Sequence, residues 1–509
     1  MVNFYDEVKN VLDQRRAYTE NGAVGYETTG KALLDMNFKV PSYRTADEAT
    51  IINDFIKAYA EDPTLALKWM FYVGDIRQGL GERRLFRVLI KHVLSQQPGF
   101  IQFVGEYNRF DSLFELFDTD AETDMVNFVM KQLTADMASV HAGKGCSLLA
   151  KWMPSINTSS KETRALAKRF IKAMNIDEKH YRKMLSKLRE AIDVTERKLC
   201  AGQWSEVDYN AVPSKANLKY NNAFLAHDET RRREFLGKLE KGDKDVKINA
   251  GAVFPHDIVS QYRSKLYTGQ LDGTLEAMWK ALPNTVQDKN MIVVRDGSGS
   301  MGCPVGGSRN VCALDVATAL AIYMAERLPA AFKDKFITFS NKPKLVTLPQ
   351  TNLKDKLVRA YQEAECSNTN IEAVFDLVLK TAVGAKMKQS DIPDILIISD
   401  MEFDGCSCDN GCNSNWGHGF RSTLFDEIGK KFAAAGYKLP KMVFWNVNSR
   451  SNTIPVRTND NGVVLMSGFS QNTAKMAMTN KLDPYDALKE TLNIERYAFV
   501  EDVLKTSVE

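Results

Sequence analysis

Three side chains with hard oxygen atoms follow an apolar run in the C-terminal half of the chain. The run MIVV at 291–294 leads to Asp296, and Ser298 and Ser300 follow at alternate positions in the string DGSGS. Carboxylate and hydroxyl oxygens suit Mg²⁺ or Mn²⁺, which prefer near-octahedral oxygen shells and retain some of their waters. The intervening glycines let the backbone turn, so that the three side chains can face one point. We therefore expect a divalent cation at this loop.

Two later positions extend this set of oxygen ligands. Thr369 lies in SNTNIEAVFDL, on a predicted loop just before a helix, and Asp400 follows the apolar run ILII at 395–398. In an open α/β sheet, ligands bind outside the carboxyl ends of the strands. Asp296 and Asp400 are therefore predicted to meet at that edge of a sheet, with Thr369 beside them.

The C-terminal half has the pattern of strands that alternate with helices. Helical patterns lie between short apolar, β-branched runs, for example at 313–328 and 371–383. The runs are 291–294, 336–339, 395–398, 443–447 and 463–466. This alternation predicts a doubly wound, mainly parallel sheet, a Rossmann-like α/β domain over residues 289–509.

Residues 1–288 are predicted to form an α-helical domain. Apolar residues recur at helix spacing, as at Ile51 and Phe55, and Asp62–Pro63 has the pattern of an N-cap followed by proline at the first helical position. Short amphipathic helices are typical of stacked hairpins or a solenoid, although no repeat of fixed period is visible. The string GDIRQGLGERR at 74–84 lacks the G-K-[ST] ending of a phosphate-binding loop, so we expect an interhelical turn there.

The formal net charge of +3 is unevenly distributed along the chain. Residues 151–250 contain 22 lysines and arginines against 14 acids. Five basic residues share one predicted helix face and two more follow: Lys161, Arg164, Lys168, Arg169, Lys172, Arg182 and Lys183. Such a face can track a phosphate backbone, and an ordinary solvated surface is the alternative. Tyr181 and Trp204 lie nearby in the sequence, either as stacking partners for unpaired bases or as core residues.

Four softer potential ligands occur close together near the end of the chain. Cys406, Cys408, Cys412 and His418 lie in DGCSCDNGCNSNWGHGF, residues 404–420. Thiolates and imidazole suit zinc, but the C-x-C spacing is tighter than in the usual zinc knuckle and no second C-x-x-C follows. A zinc site and a glycine- and asparagine-rich surface insertion are the two interpretations.

Composition excludes several classes of protein. With 509 residues, 44% of them hydrophobic and 26% charged, the chain resembles an ordinary globular protein of two or more domains. The sequence contains no run of about 18 apolar residues, so we do not expect a membrane span. The N-terminus lacks the pattern of a secretory signal. Eight scattered cysteines indicate reduced thiols in a cytoplasmic protein. No nucleophile elbow or paired catalytic acid can be placed, so we do not expect an enzyme.

The order Asp-x-Ser-x-Ser, then Thr, then Asp resembles the metal-ion-dependent adhesion site of von Willebrand factor A-type domains. This resemblance implies that Ser298 and Ser300 bind the ion directly and that Thr369 binds it directly or through water. It implies that Asp296 and Asp400 act mostly through waters. The implied cofactor is Mg²⁺ (or Mn²⁺), and the implied role is capture of a partner.

The chain departs from that family after the second aspartate. A-type domains often have glycine there, whereas this chain has Met401-Glu402-Phe403-Asp404. We therefore expect that Glu402 or Asp404 could occupy or screen the open position on the metal.

Strings in both halves also resemble a family of uncharacterised viral, plant and fungal proteins. They include YVGDIRQGLGERRLF (72–86), GEYNRFDSLFEL (105–116) and INAGAVFPHDIV (248–259), followed by DGSGSM and ISDMEFD. That family is more distantly similar to TROVE-domain proteins of the Ro autoantigen type. Those proteins combine HEAT-like helical repeats with a C-terminal A-type domain, and they bind small structured RNAs and single-stranded RNA ends.

These patterns and resemblances together predict a non-enzymatic RNA-binding scaffold. Small noncoding RNA would bind the helical domain, and the Mg²⁺ site would capture a protein partner or further ligand. We expect a monomer without membrane contact. The alternative is a metal-dependent protein–protein interaction adaptor that binds no nucleic acid.

Overall fold

The computed structural model describes residues 16–268, 270–308, 310–329, 331–339, 342–363, 370–404, 424–456 and 462–506. The chain forms two compact units. One combines the residues up to Ala66 with Val253–Ile494, and the other combines Leu67–Ala252 with the residues from Glu495 onward. The division of the sequence into two domains, 1–288 and 289–509, stays a prediction. The compact units divide elsewhere, because the chain leaves the first unit after Ala66 and returns to it at Val253.

We number the helices in chain order through the described residues. The first three are α1 Ala32–Phe38, α2 Val40–Tyr43 and α3 Glu48–Glu61. The chain enters the second unit within α4 Pro63–Gly74 and continues with α5 Arg83–Leu94, α6 Val104–Tyr107, α7 Glu122–His141, α8 Leu149–Trp152, α9 Lys161–Ala173, α10 Glu178–Ala191, α11 Thr195–Cys200, α12 Ser214–Lys219, α13 Asn221–His227 and α14 Glu229–Glu240. The first unit resumes with α15 Pro255–Arg263, α16 Gly273–Lys280, α17 Ala313–Ala325, α18 Leu353–Gln362, α19 Glu372–Gly384, α20 Leu424–Ala434, α21 Ala474–Ala477 and α22 Pro484–Leu492, and α23 Phe499–Thr506 belongs to the second unit. Of the helices in the described ranges, none has both the length and the apolar character that crossing a bilayer requires.

A six-stranded, mostly parallel sheet forms the core of the first unit. A short hairpin, β1 Arg16–Tyr18 and β2 Val24–Tyr26, precedes it in sequence. The sheet strands are β3 Met291–Asp296, β4 Lys335–Phe339, β5 Leu345–Thr347, β6 Asp394–Ser399, β7 Met442–Asn446 and β8 Val463–Ser467. They lie in the order β5-β4-β3-β6-β7-β8, and β5 alone among them runs antiparallel to its neighbour.

The five apolar runs predicted as strands coincide with the parallel part of this sheet. Every residue of β3, β7 and β8 is buried. Parallel sheets are covered on both faces, so their strands are continuously apolar rather than alternating. The mainly parallel α/β architecture predicted for this half is therefore confirmed. The edge strand β5 was not predicted, because it has three residues and only its middle one is buried.

Several helices of the chain begin at side chains that cap their free backbone N–H groups. Asp47 accepts from the Thr50 N–H at the start of α3, and Asp177 accepts from the His180 N–H at the start of α10. Asp62 accepts from the Leu65 N–H at 2.9 Å, directly before Pro63. Caps of this kind satisfy donors that have no partner within the helix. The predicted start at Asp62–Pro63 is thus confirmed.

The string GDIRQGLGERR connects α4 and α5 as a tight interhelical turn, as predicted. A Cβ atom on Gly79 would lie 1.9 Å from the Tyr72 carbonyl oxygen, so only glycine fits there. Asp75 in this turn is fully buried and forms an ion pair with Arg496. The Tyr497 hydroxyl also donates to Asp75, at 3.2 Å. This polar cluster joins the C-terminal segment to the second unit.

Candidate metal centre

Two neighbouring parallel strands end at the residues predicted to hold the ion. β3 ends at Asp296, and β6 ends at Ser399, directly before Asp400. Arg295 pairs with Ile398 across the ladder, which aligns the two strand ends. The structure thus brings Asp296 and Asp400 to the same edge of the sheet. We call these two side chains the carboxylate pair.

The two serines lie beside the carboxylate pair on a short 3₁₀ turn. The Ser298 N–H donates to Asp296 Oδ1 at 2.9 Å, and the hydroxyl oxygens of Ser298 and Ser300 are 3.0 Å apart. Ser300 also forms a hydrogen bond with Asp400. Ser399 donates from its hydroxyl to Asp296 Oδ2 at 2.6 Å. Two hydroxyls and two carboxylates therefore form one compact group of hard oxygen atoms.

Burial makes the negative charge of the carboxylate pair costly. Both side chains are 0% exposed. Burial and, second to it, the neighbouring charge of Asp296 together raise the pKa of Asp400 to about 7. Burial also raises the pKa of Asp296. Two adjacent buried carboxylates favour either a shared proton or a cation between them.

The described residues place one cationic side chain within hydrogen-bond distance of the carboxylate pair. Arg450 Nη1 lies 3.4 Å from Asp400 Oδ2. Arg295, although adjacent to Asp296 in sequence, donates instead to the carbonyl oxygens of Ala360 and Glu363, each at 3.0 Å. The donor set of carboxylate and hydroxyl oxygens fits Mg²⁺ or Mn²⁺, and the negative charge of an ionised carboxylate pair is of the sign that such an ion would neutralise.

The remaining predicted ligands lie outside the described residues. They are Thr369 and the four candidate zinc ligands Cys406, Cys408, Cys412 and His418. In the ranges that the structure does describe, no group of three or more histidine, cysteine, aspartate or glutamate side chains is arranged to hold a metal. The site at the carboxylate pair differs from such groups because serine hydroxyls supply part of its oxygen atoms.

Glu402 has a different role from the predicted one. It is fully buried, and its Oε1 accepts the N–H groups of Arg450 and Ser451, both at 2.8 Å. Its Oε2 accepts the Glu20 N–H at 2.9 Å. Glu402, one of the two acids that we expected to occupy or screen the open metal position, is therefore engaged by backbone donors. Met401, where A-type domains often have glycine, has a φ of 65°, the left-handed conformation that glycine adopts most easily.

The predicted RNA-binding residues divide into exposed and engaged groups. Arg169 donates to both carboxylate oxygens of Asp118 at 2.8 Å and lies over the Phe117 ring, and Arg164 donates to the Thr158 carbonyl at 2.7 Å. The other five are exposed: Lys161, Lys168, Lys172, Arg182 and Lys183. Lys179 and Lys187 on α10 are exposed as well and were not predicted. Within the described part of the chain these seven side chains form no ion pair, and we call them the basic face.

The two aromatic residues near the basic face in sequence behave differently. Tyr181 is 0% exposed and donates to the Pro154 carbonyl at 2.8 Å, so it is a core residue. Trp204 is partly exposed and stacks on the exposed ring of His227, with 4.3 Å between ring centroids. Only Trp204 therefore has the exposure that base stacking requires.

Comparisons with known proteins match two adjoining regions of the chain to domains of unknown function. Residues 157–292 match a domain of unknown function, DUF2828, and residues 290–501 match another, DUF7788. The chain is 32% identical over 524 residues to the uncharacterized protein L728 of Acanthamoeba polyphaga mimivirus. That alignment covers 94% of this chain and 87% of the viral protein. The chain belongs to the family of this viral protein.

The two candidate sites lie in different matched regions. The first region contains α9 and α10 with the basic face, and the second contains the carboxylate pair and both serines. The regions meet at residues 290–292, where β3 begins.

Proposed function

We propose that this protein is a non-enzymatic RNA-binding scaffold of the TROVE type. In this proposal the helical part is a HEAT-like repeat domain that binds small structured RNAs or single-stranded RNA ends. The sheet part is a von Willebrand factor A-type domain that holds Mg²⁺ and captures a partner. The observation that carries the RNA part of the proposal is the basic face of α9 and α10.

The basic face has the character of a surface that contacts phosphates. Six of its seven side chains are lysines, which are mobile point charges suited to backbone contacts rather than to base recognition. Their charges are exposed and lie on two consecutive helices, and within the described residues no carboxylate is paired with them. A phosphate backbone supplies the missing negative charge and releases counterions on binding.

The oxygen group at the sheet edge supports the Mg²⁺ part of the proposal. Ser298 and Ser300 would bind the ion directly, while Asp296 and Asp400 would hold its waters and Thr369 would complete the shell. A bound ion supplies a Lewis-acidic position for an acidic group of a partner. The hydrogen bonds that Asp296 accepts from the Ser298 N–H and the Ser399 hydroxyl orient its carboxylate at the sheet edge.

Charge reversal on the basic face tests the RNA proposal. Changing Lys168, Lys172, Arg182 and Lys183 to glutamate removes four phosphate contacts, and we expect binding of a single-stranded RNA to weaken about 100-fold or more. The slope of log Kd against log salt concentration should fall by about 0.7 per lost contact. Fluorescence anisotropy with a labelled RNA at several salt concentrations measures both quantities.

A matched variant controls for the change in net charge. The control uses four exposed lysines of the first unit, Lys333, Lys380, Lys388 and Lys438. Changing them to glutamate alters the net charge by the same amount. This control should bind RNA nearly as well as the wild type. Equal losses in both variants, or binding that does not respond to salt, would contradict the proposal.

The second candidate, a metal-dependent protein adaptor without nucleic acid, is favoured by the compact oxygen group alone. It predicts that Asp296→Ala abolishes capture of a protein partner and that the purified chain carries no RNA. Excess absorbance at 260 nm that ribonuclease removes would contradict this candidate and support the first.

A further inference from the structure

An ion pair lies at the rim of the candidate metal centre. Arg450 donates from Nε to Glu20 Oε1 at 2.9 Å and from Nη2 to Glu20 Oε2 at 2.6 Å. The third nitrogen of the same guanidinium, Nη1, lies 3.4 Å from Asp400 Oδ2. A bidentate pair of this kind fixes the orientation of the guanidinium as well as its position. Glu20 thus holds a positive charge against a predicted metal-binding residue.

Glu402 positions both partners of this ion pair through their backbones. One of its oxygens accepts the Arg450 N–H and the other accepts the Glu20 N–H. The turn between β1 and β2 is further held by Asn21, which donates to the Glu402 carbonyl, and by Thr19, which donates to the Phe403 carbonyl, each at 2.6 Å. The backbone around the ion pair is therefore fixed, while the Glu20 and Arg450 side chains remain partly exposed, at 50% and 28%.

We propose that Glu20 and Arg450 form a latch that competes with the divalent cation for Asp400. In the closed latch, the guanidinium neutralises Asp400 and hydrogen-bonds the oxygen that would hold a metal-bound water. In the open latch, Arg450 turns to solvent and leaves Asp400 to the ion. This inference rests on the proposed Mg²⁺ site and adds an internal competitor to it.

The latch predicts an effect of the sign opposite to that of simple electrostatics. If Glu20 acted only through its charge, its neutralisation would remove a negative group near the site and weaken cation binding. In the latch, the same change releases Arg450 from Asp400 and strengthens cation binding. The direction of the change in Mg²⁺ affinity therefore separates the two accounts.

The test is titration of the full-length chain with MgCl₂ by isothermal calorimetry. Glu20→Gln is expected to tighten Mg²⁺ binding about fivefold, the factor that corresponds to a partly exposed ion pair. Glu27→Gln is the matched control, because Glu27 is an exposed acid that follows β2 in the same unit. The control should leave the affinity unchanged.

A second variant shows whether Glu20 acts through Arg450. Arg450→Gln should tighten Mg²⁺ binding by at least as much, and adding Glu20→Gln to it should give no further gain. Weaker or unchanged binding in Glu20→Gln would overturn the latch. If the wild type itself takes up no Mg²⁺, the proposed metal site is wrong and the latch with it. If the wild type binds Mg²⁺ and Glu20→Gln does not tighten it, only the latch is wrong.

Discussion

Asp400→Asn is expected to stabilise the metal-free protein above neutral pH. Burial and the charge of Asp296 raise the pKa of Asp400 from 3.8 to about 7. Between these values the folded state holds a proton that the unfolded state has released, so stability falls as the pH rises from about 4 to about 7. Above about pH 7 Asp400 is ionised in the folded state as well, and the loss of stability is complete. Asparagine keeps the shape of the side chain and removes the charge.

The size of the effect follows from the raised pKa. At about 1.36 kcal/mol per pH unit, the interval from 3.8 to about 7 corresponds to at most about 4 kcal/mol. We expect Asp400→Asn to raise the free energy of unfolding by about 2 kcal/mol or more at about pH 8. For a unit of this size that is a rise in Tm of about 3 °C or more.

Thermal unfolding with and without MgCl₂, at about pH 5 and about pH 8, measures these differences. The difference in Tm between the variant and the wild type should be smaller at the lower pH, because Asp400 is already protonated in the folded wild type. Mg²⁺ should stabilise the wild type at the higher pH and leave Asp400→Asn nearly unchanged. Asp391→Asn, an exposed acid just before β6, is the control and should behave as wild type. A variant less stable than wild type at about pH 8, or an equal response of both to Mg²⁺, would contradict the destabilising effect of an ionised Asp400.

Two further predictions follow from single contacts. Replacing both Ser298 and Ser300 with alanine should abolish Mg²⁺ uptake in calorimetry without loss of the folded circular-dichroism signal, and retained uptake would show that the hydroxyls are not ligands. Gly79→Ala places a Cβ against the Tyr72 carbonyl and should cost at least about 2 kcal/mol, measured as a lower denaturant midpoint for the second unit, whereas an unchanged midpoint would contradict the tight turn.

The strands and their ends were predictable because their signal is local. The apolar run 395–398 lies within a buried strand, as its short length and β-branched residues predict, and the acid at position 400 follows directly after the strand end. Asp296 and Asp400 could therefore be placed on one sheet edge without knowledge of any contact. The turn at 74–84 was predictable for the same reason, since its glycines act on their own backbone.

The role of Glu402 was not predictable, because it depends on segments far away in the sequence. Its carboxylate accepts N–H groups from residues 20, 450 and 451, and no local pattern indicates which loops those residues form. Arg169 shows the same limit. Helix spacing places it on the predicted basic face, but its guanidinium reaches Asp118, 51 positions earlier in the chain.

The division of the chain into compact units also depends on distant contacts. The C-terminal segment follows the sheet in sequence but belongs to the second unit. There Arg496 pairs with Asp75, and Phe499 packs on Phe71 at 4.9 Å between ring centroids. The amino-acid sequence of this segment does not indicate which surface its apolar residues pack on.

The most direct test of the account is a crystal of the protein soaked in Mn²⁺ and measured for anomalous scattering. We expect a peak at the ends of β3 and β6, about 2.1–2.2 Å from the hydroxyl oxygens of Ser298 and Ser300. The carboxylates of Asp296 and Asp400 should lie around the same ion. Occupied Mn²⁺ positions elsewhere with none at this edge, or carboxylates that point away from each other, would contradict it.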